Sequence, residues 1–194
     1  MTLARMVECI PPDVCEKIIA AAEATSFNRA TVISQGGMDV DEIRSNYTCP
    51  IPPEFKDAVY AYLNQAIEKW SAIFAEEEYA NVLYLPGITS DFNTVFEPPS
   101  LLRYENNQEY KWHCDGKPFI NPNDTALSHN RLISIVCYLN DNFEGGETKV
   151  LNTPWKPVRG KALVFPSNWT YPHCACPVTL GTKYSIATWY HAAY

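Results

Sequence analysis

Apolar residues recur at helical spacing in two stretches of the first third of the chain. The first stretch begins at Pro11-Pro12-Asp13, a typical helix start, and its apolar positions are Val14, Ile18, Ile19 and Ala22. The second begins near Pro53-Glu54, and its apolar positions are Phe55, Val59, Leu63, Ile67, Trp70 and Phe74. Because the apolar stripe of an amphipathic helix normally faces a core, we interpret both stretches as core-packed helices and their aromatic residues as packing residues.

From about residue 81 onward, short apolar and alternating runs are separated by Gly, Pro and Asn turns, which predicts strands. The candidate strands are 81–85, 101–105, 131–139, 148–151, 161–165 and 183–191, and an earlier run, 44–49, also alternates. Many short strands are typical of a sandwich, barrel or jelly roll. We therefore expect a mainly β fold with N-terminal helices, organised as one domain over 1–194. A helical support region would cover 1–80 and a jelly-roll core 81–194.

Length and composition agree with one globular domain, since 194 residues suffice to bury a sizeable core. No stretch contains the about 18 consecutive apolar residues that a transmembrane helix needs. The first eight residues lack the apolar segment of a secretory signal. The seven cysteines are odd in number and scattered, which favours free thiols in a reducing compartment over a disulfide framework. We therefore expect a cytoplasmic protein without a membrane partner.

Charge and short motifs exclude several classes of function. The net charge of −7 comes without any basic run, which argues against a phosphate backbone, and so against nucleic acid, as a partner. The pair Gly145-Gly146 lacks the Lys-Ser/Thr and the following helix of a phosphate loop. Neither Ser134 nor Ser185 lies in the elbow sequence of a serine hydrolase.

Candidate metal ligands lie at three positions. His113 and Asp115 flank Cys114, and side chains two apart in a strand point to the same face. One face would then carry an imidazole and a carboxylate, with Cys114 turned away. His173, on a distant strand, would add a second imidazole, and two histidines with one carboxylate are typical of non-heme Fe(II) oxygenases. The HxD pattern alone is weak because it occurs often by chance.

Lys183 follows His173 by ten residues and lies in a strand pattern, where it shares a face with Ser185, Ala187 and Trp189. The small neighbours leave room for a ligand. A buried lysine needs an anionic partner, and no carboxylate nearby in sequence is an obvious one. We therefore infer that the partner is a bound ligand.

Several segments of residues 101–191 follow one another in the order and spacing of a known family. They are 102–104, 113–115, 131–140, 145–148, 160–166, His173, 177–178, Gly181, 183–184 and Trp189. On these segments the chain resembles the Fe(II)/2-oxoglutarate-dependent oxygenases, and specifically their prolyl 4-hydroxylase-like group. The resemblance implies a double-stranded β-helix (jelly roll), with Fe(II), 2-oxoglutarate and O2 as cofactors and co-substrates. Ascorbate is a further candidate cofactor.

The resemblance also implies roles for individual residues. The expected iron ligands are His113, Asp115 and His173; the expected 2-oxoglutarate residues are Tyr104, Thr148 and Lys183; the expected substrate residues are Arg131 and Trp189. Two positions depart from the family: the residue after the last histidine is often glutamate there and is Cys174 here, and Cys114 separates the first two ligands. Neither position ligates iron, and thiols there are open to oxidation. Cys174-Ala175-Cys176 is too small a set for zinc, so we expect free thiols.

The resemblance implies a dioxygenase that hydroxylates a prolyl residue in a peptide or protein while 2-oxoglutarate becomes succinate. One alternative is a hydroxylase of a free amino acid or small metabolite on the same fold. A second alternative is a non-catalytic metal-binding jelly roll, although a structural metal site is normally closed rather than open. Substrate selection is expected in the loops 35–41, 88–99 and 116–130.

Overall fold

The computed structural model describes residues 2–31, 43–75, 77, 94–116 and 131–192. The predicted strand 81–85 and the expected loop 35–41 lie outside the described residues. Most of the loops 88–99 and 116–130 also lies outside them.

Two α-helices form where the apolar stripes predicted them. Helix α1, Pro12–Glu23, has proline in its first turn, where the missing N–H is not needed. A 3-10 turn, Pro53–Phe55, leads into helix α2, Lys56–Ala72. The buried residues of the two helices are Cys15, Ile18, Ala22, Val59, Leu63, Ala66, Ile67, Trp70 and Ser71. Within the described residues, no helix is long and apolar enough to cross a membrane.

Fourteen strands form within the described residues. They are β1 Arg5–Glu8, β2 Asn28–Arg29, β3 Tyr47–Pro50, β4 Thr94–Phe96, β5 Ser100–Tyr104, β6 Tyr110–His113, β7 Arg131–Tyr138, β8 Glu144–Gly145, β9 Thr148–Val150, β10 Thr153–Trp155, β11 Lys161–Pro166, β12 His173–Ala175, β13 Val178–Leu180 and β14 Lys183–Ala192. Five predicted strands are confirmed to within one residue at each end. The predicted strand 44–49 is wrong at its start, because Arg44 makes only an isolated bridge to Tyr110 and the ladder begins at Tyr47.

The strands form two principal antiparallel sheets. The main sheet has the order β1-β11-β7-β14-β5-β3-β2, with β4 paired to the end of β14. The small sheet has the order β10-β9-β12-β6, and β13 pairs with β8 separately. The mainly β fold with N-terminal helices is confirmed. Three strands from the first 50 residues belong to the main sheet, so this part of the chain contributes more than helical cover.

Alternation along β7 at the centre of the main sheet separates the core from the site. Ile133, Ile135 and Cys137 pack into the core cluster that includes both helices. Ser134 and Tyr138, on the opposite face of the strand, make their hydrogen bonds with Asp115 and Thr148, on the side of the small sheet. Helices therefore cover one face of the main sheet, and the opposite face is left for the functional site.

All seven cysteines are free, as the sequence predicted. Cys9, Cys15 and Cys137 are buried in the core cluster that includes both helices. Only Cys114 is exposed, and Cys176 is half-buried.

Candidate active site

Two histidines face each other across neighbouring strands of the small sheet. β6 and β12 pair with His113 opposite His173, and the two ring centres lie 4.2 Å apart. Asp115 lies beyond the end of β6, because the Gly116 N–H donates to the Ser167 carbonyl and draws the chain away. The expectation that Asp115 belongs to the same strand as His113 is therefore wrong. The three side chains nevertheless converge, with one ligand atom from each within 4.8 Å of the others.

Backbone carbonyls set the orientation of both imidazoles. Nδ1 of His113 lies 2.7 Å from the Lys111 carbonyl, and Nδ1 of His173 lies 3.1 Å from the Tyr171 carbonyl. A carbonyl only accepts, so Nδ1 carries the proton in each neutral ring and Nε2 keeps its lone pair. Both Nε2 atoms face Asp115, at 3.6 Å from Oδ1 for His113 and 3.2 Å from Oδ2 for His173.

A pair of buried serines supports the carboxylate. The Ser134 hydroxyl donates to Oδ2 of Asp115 at 2.7 Å. Ser167 Oγ lies 2.8 Å from Ser134 Oγ, and it is the donor there because the Ser134 proton is already used. This chain fixes the rotamer of Asp115, as outer hydrogen bonds do for metal ligands.

The electrostatics favour the ligand forms of two groups. Burial and the neighbouring His173 lower the pKa of His113 to about 4, so its ring is neutral at pH 7. Burial acts to raise the pKa of Asp115, but the two histidines and Ser134 hold it well below its usual range. Burial lowers and Asp115 raises the pKa of His173, and the net direction is upward. A neutral imidazole and a carboxylate are the states that bind a metal.

The donor set fits a divalent metal with open positions. Ligand atoms on adjacent corners around an ion with bonds of about 2.1 Å lie about 3 Å apart, close to the separations from Asp115 to each histidine. Two imidazoles and one carboxylate match the facial set of Fe(II) oxygenases, whereas structural zinc takes four protein ligands, rich in cysteine. The assignment of these three residues as iron ligands stays a prediction.

His113 is also held by stacking, which the sequence did not indicate. The Tyr110 ring lies 3.6 Å from the His113 ring and is almost parallel to it. The Arg44 guanidinium lies 4.8 Å from the centre of the Tyr110 ring, and Arg44 is itself fixed by Asn46 at 2.7 Å. Arg44, Tyr110 and His113 all line one cavity of about 360 Å³ between the two sheets.

Lys183 lies in the same cavity. It is only 1% exposed, and its ammonium donates to the Gly146 carbonyl at 2.6 Å. Burial lowers the pKa of Lys183 to about 8, partly opposed by Cys176 and Glu147. None of the described carboxylates forms an ion pair with Lys183, so a buried cation is left with unused donors. An anionic ligand in the cavity would satisfy them.

Two hydroxyls beside Lys183 are also poised to donate. Thr148 accepts a hydrogen bond of 2.8 Å from the Tyr138 hydroxyl, which leaves the Thr148 proton free for a ligand. The Ser185 hydroxyl is buried without a partner. Both residues line the cavity, as does Tyr104. Burial raises the pKa of Tyr104 to about 12, so its hydroxyl stays protonated. These groups fit a carboxylate ligand such as that of 2-oxoglutarate.

The rim of the cavity contains the predicted substrate residues Arg131 and Trp189. The Arg131 guanidinium binds Glu97 through two bonds of 2.6 and 2.7 Å and lies 3.6 Å from the centre of a Trp189 ring. Glu97 is held in turn by a hydrogen bond from its N–H to the Trp189 carbonyl. The charge of Arg131 is thus already paired with Glu97. Its planar guanidinium stacks on the Trp189 ring, and together they form a flat surface in the cavity.

Sequence reasoning missed Glu97, Ser134 and Ser185. For Ser134 a signal existed, because it is a polar residue within the apolar run 132–137 of a buried strand. Ser185 shares the predicted face of Lys183. Glu97 carried no such signal, since its pairing with Arg131 depends on the ladder between β4 and β14.

Residues 99–191 match the sequence pattern of the 2OG-Fe(II) oxygenase superfamily. A PKHD-type hydroxylase of Xylella fastidiosa is 33% identical, over 47% of this chain and 43% of its own. The protein named probable prolyl 4-hydroxylase 3 of Arabidopsis thaliana is 31% identical, over 47% of this chain and 41% of its own. The chain spans less than half the length of these curated relatives.

A solved structure shares the fold. It is that of the viral collagen prolyl hydroxylase of Paramecium Bursaria Chlorella virus-1 in complex with 2-oxoglutarate, with a TM-score of 0.67 and 20% identity. The alignment covers 98% of this chain and 97% of that one. This likeness confirms the predicted jelly-roll fold.

Proposed function

Residues 99–191 form a domain of the 2OG-Fe(II) oxygenase superfamily, and on that premise we propose that this chain hydroxylates a prolyl residue in a peptide or protein. The observation that carries the proposal is that one cavity contains two groups of different chemistry. A convergent His113, Asp115 and His173 set lies in it, and so does the buried cation of Lys183, which no described carboxylate pairs. The first suits ferrous iron and the second suits the far carboxylate of 2-oxoglutarate.

The residues of the chain would bind and orient the reactants. When bound, ferrous iron and 2-oxoglutarate supply the oxidising chemistry: one atom of O2 enters a C–H bond and the other enters succinate, with loss of CO2. His113 and His173 present Nε2 lone pairs, and Asp115 supplies an anionic oxygen. Lys183 would hold the far carboxylate, with hydroxyl donors from Thr148 and the unpartnered Ser185 beside it.

Two observations support a prolyl substrate. The relative from Arabidopsis thaliana is named as a prolyl 4-hydroxylase and the viral fold neighbour as a collagen prolyl hydroxylase. Beside the ligand set, Arg131 stacked on Trp189 offers a flat, partly apolar surface suited to a pyrrolidine ring. The pairing of Arg131 with Glu97 lowers the net charge of that surface, which suits a neutral ring better than a charged side chain.

A mass-shift screen tests the proposal. Anaerobically purified protein is given ferrous iron, 2-oxoglutarate, ascorbate and a proline-rich peptide library, and the reaction is started with oxygen. We expect a peptide to gain one oxygen on proline, in amounts matched by succinate. The His113→Ala, Asp115→Ala and His173→Ala variants are the controls and should give neither product. If only free amino acids gain oxygen, the small-metabolite alternative replaces the prolyl proposal.

A further inference from the structure

The side-chain amide of Asn140 lies against the backbone on both sides of Lys183. Asn140 follows the end of β7 by two residues and is 9% exposed. Its Nδ2 donates to the Thr182 carbonyl at 2.8 Å, and its Oδ1 accepts from the Tyr184 N–H at 2.7 Å. Because a carbonyl only accepts and an N–H only donates, the two bonds fix the orientation of the amide. Asn140 therefore holds both peptide groups that join Lys183 to its neighbours.

This amide takes the place of a strand partner that β7 does not provide here. On its other side, β14 pairs with β5 from Lys183 onward. The ladder between β14 and β7 begins only at Ser185, and the Leu139 N–H adds one bond to the Tyr184 carbonyl. A carboxamide offers a donor and an acceptor in one plane, as a peptide group does. The side chain of Asn140 therefore extends the ladder to the residues around Lys183.

Gly146 fixes the other end of Lys183. The Lys183 ammonium donates to the Gly146 carbonyl at 2.6 Å. A Cβ on Gly146 would lie 3.2 Å from Cδ of Lys183 and 2.9 Å from Cε2 of Phe143, so the lysine stem packs closely against a glycine. With its backbone held by Asn140 and its stem against Gly146, the ammonium has a defined position in the cavity.

We propose that Asn140 is a positioning residue for 2-oxoglutarate binding, because it holds the backbone that places the Lys183 ammonium. This inference rests on the proposed binding of 2-oxoglutarate at Lys183. Asn140 lines a different cavity, beside α1, rather than the cavity of Lys183. It therefore acts through Lys183 and does not contact the co-substrate.

Calorimetric titration of 2-oxoglutarate into the Co(II)-loaded full chain measures the effect. Asn140→Ala removes both bonds to the backbone around Lys183 and leaves Lys183 itself in the chain. We expect the 2-oxoglutarate dissociation constant to rise about tenfold, the lower end of the effect of losing a charge-assisted hydrogen bond. Co(II) affinity should stay unchanged, which also shows that the variant is folded. If Asn140→Ala does not fold, Asn140→Ser is used, since a hydroxyl can still serve one of the two backbone groups.

Asn142→Ala is the matched control. The Asn142 side chain is exposed and accepts a second bond from Nδ2 of Asn140 at 2.8 Å. Its removal leaves the bonds to Thr182 and Tyr184 in place, so neither 2-oxoglutarate nor Co(II) affinity should change. Equal 2-oxoglutarate affinity in Asn140→Ala and Asn142→Ala overturns the proposal.

A double-mutant cycle separates positioning from a general structural role. In Lys183→Met the group that Asn140 positions is absent, so adding Asn140→Ala should weaken 2-oxoglutarate far less than it does in the unmodified chain. A merely structural change would act to the same extent in both backgrounds. Equal losses of 2-oxoglutarate affinity in the two backgrounds therefore overturn the proposal.

Amide hydrogen exchange, followed by NMR, tests the same contact without 2-oxoglutarate. The Tyr184 N–H should exchange at least about tenfold faster in Asn140→Ala than in the unmodified chain or in Asn142→Ala, because its acceptor is gone. Equal exchange of this amide in all three proteins overturns the proposal. An unmodified chain that binds Co(II) but not 2-oxoglutarate contradicts the proposed function, and the exchange rates still decide whether Asn140 holds this backbone.

Discussion

At the scale of single residues, the proposed binding of 2-oxoglutarate depends most on Lys183. Lys183 is a buried cation that pairs with no described carboxylate. In Lys183→Met the side chain keeps its length and loses its charge. Loss of a charge-assisted bond in a buried site costs about 2–4 kcal/mol, or about 30- to 1000-fold in 2-oxoglutarate affinity. Calorimetry with Co(II)-loaded protein measures the 2-oxoglutarate affinity. Co(II) binding itself should survive, and an unchanged 2-oxoglutarate dissociation constant would assign the cation another role.

The lowered pKa of Lys183 predicts a pH dependence for 2-oxoglutarate binding. Burial lowers the pKa to about 8 from 10.5, so below pH 8 the free protein already carries the ammonium and affinity should not depend on this group. Above pH 8 the proton must be regained on binding, and the dissociation constant should rise by up to about tenfold per pH unit. Between pH 8 and 10.5 the unfolded chain holds more of this proton, so the contribution of Lys183 to stability rises with pH.

Titration of 2-oxoglutarate into Co(II)-loaded protein between pH 6.5 and 10 checks this dependence. Lys183→Arg is the matched control, because a guanidinium stays charged over the whole range. Its affinity should be flat where that of the unmodified chain falls. Parallel curves for the two proteins would show that another group is responsible.

Residues that act alone were accessible from the sequence, and residues that act through partners were not. The residue types and spacing alone predicted a metal and ligand site formed by four residues: His113, Asp115, His173 and Lys183. The structure places all four in one cavity. The role of Ser134 arises only because it reaches Asp115. That contact depends on how two sheets pack, which no local pattern records.

At the scale of elements, the two neighbouring strands β7 and β14 support different ligands of the site. Ser134 on β7 supports Asp115, whereas Ser185 on β14 lies unpartnered near Lys183. The same serine-to-alanine change should therefore weaken the binding of a different ligand in each strand. Ser134→Ala should weaken Co(II) binding by about tenfold and spare 2-oxoglutarate affinity at saturating metal. Ser185→Ala should weaken 2-oxoglutarate and spare the metal.

Calorimetric titration of both ligands into both variants checks the division. Each variant serves as the control for the other, since both serines are buried and both face the cavity. If both variants weaken both ligands equally, the changes reflect a general loss of structure and the assignment of separate roles fails.

The long strands followed the sequence pattern, and most of the short ones did not. β5, β7, β11 and β14 have five or more residues, enough for apolar alternation to be visible. β8, β10, β12 and β13 have two or three residues each, too few for any period to appear. β12 carries His173, so the sequence indicated the ligand through its spacing to Lys183 rather than through its strand.

At the scale of the whole molecule, the helices stabilise the face of the main sheet that lies opposite the cavity. Trp70 on α2 is fully buried, and its indole N–H donates to the Leu3 carbonyl at 2.8 Å. Trp70→Ala should lower the free energy of unfolding by about 3–5 kcal/mol, measured by urea titration. Trp112→Ala removes a tryptophan that is 53% exposed and should change it by about 0.5 kcal/mol or less. Similar losses in the two variants would contradict this packing.

The architecture as a whole was predictable because helices precede short strands and the ligands lie on distant strands. The participation of β1, β2 and β3 in the main sheet was not, since each has four residues or fewer and no partner close in sequence. The cytoplasmic location and ascorbate as a further candidate cofactor stay predictions.

The central claim is that this cavity turns over 2-oxoglutarate, and labelled oxygen tests it most directly. Anaerobic protein loaded with ferrous iron and 2-oxoglutarate is exposed to heavy-isotope oxygen gas, and succinate is analysed by mass spectrometry. We predict succinate containing one heavy oxygen atom, formed by the unmodified chain and absent with His113→Ala and strongly reduced with Lys183→Met. Succinate that is unlabelled, or formed equally by all three proteins, would contradict the claim.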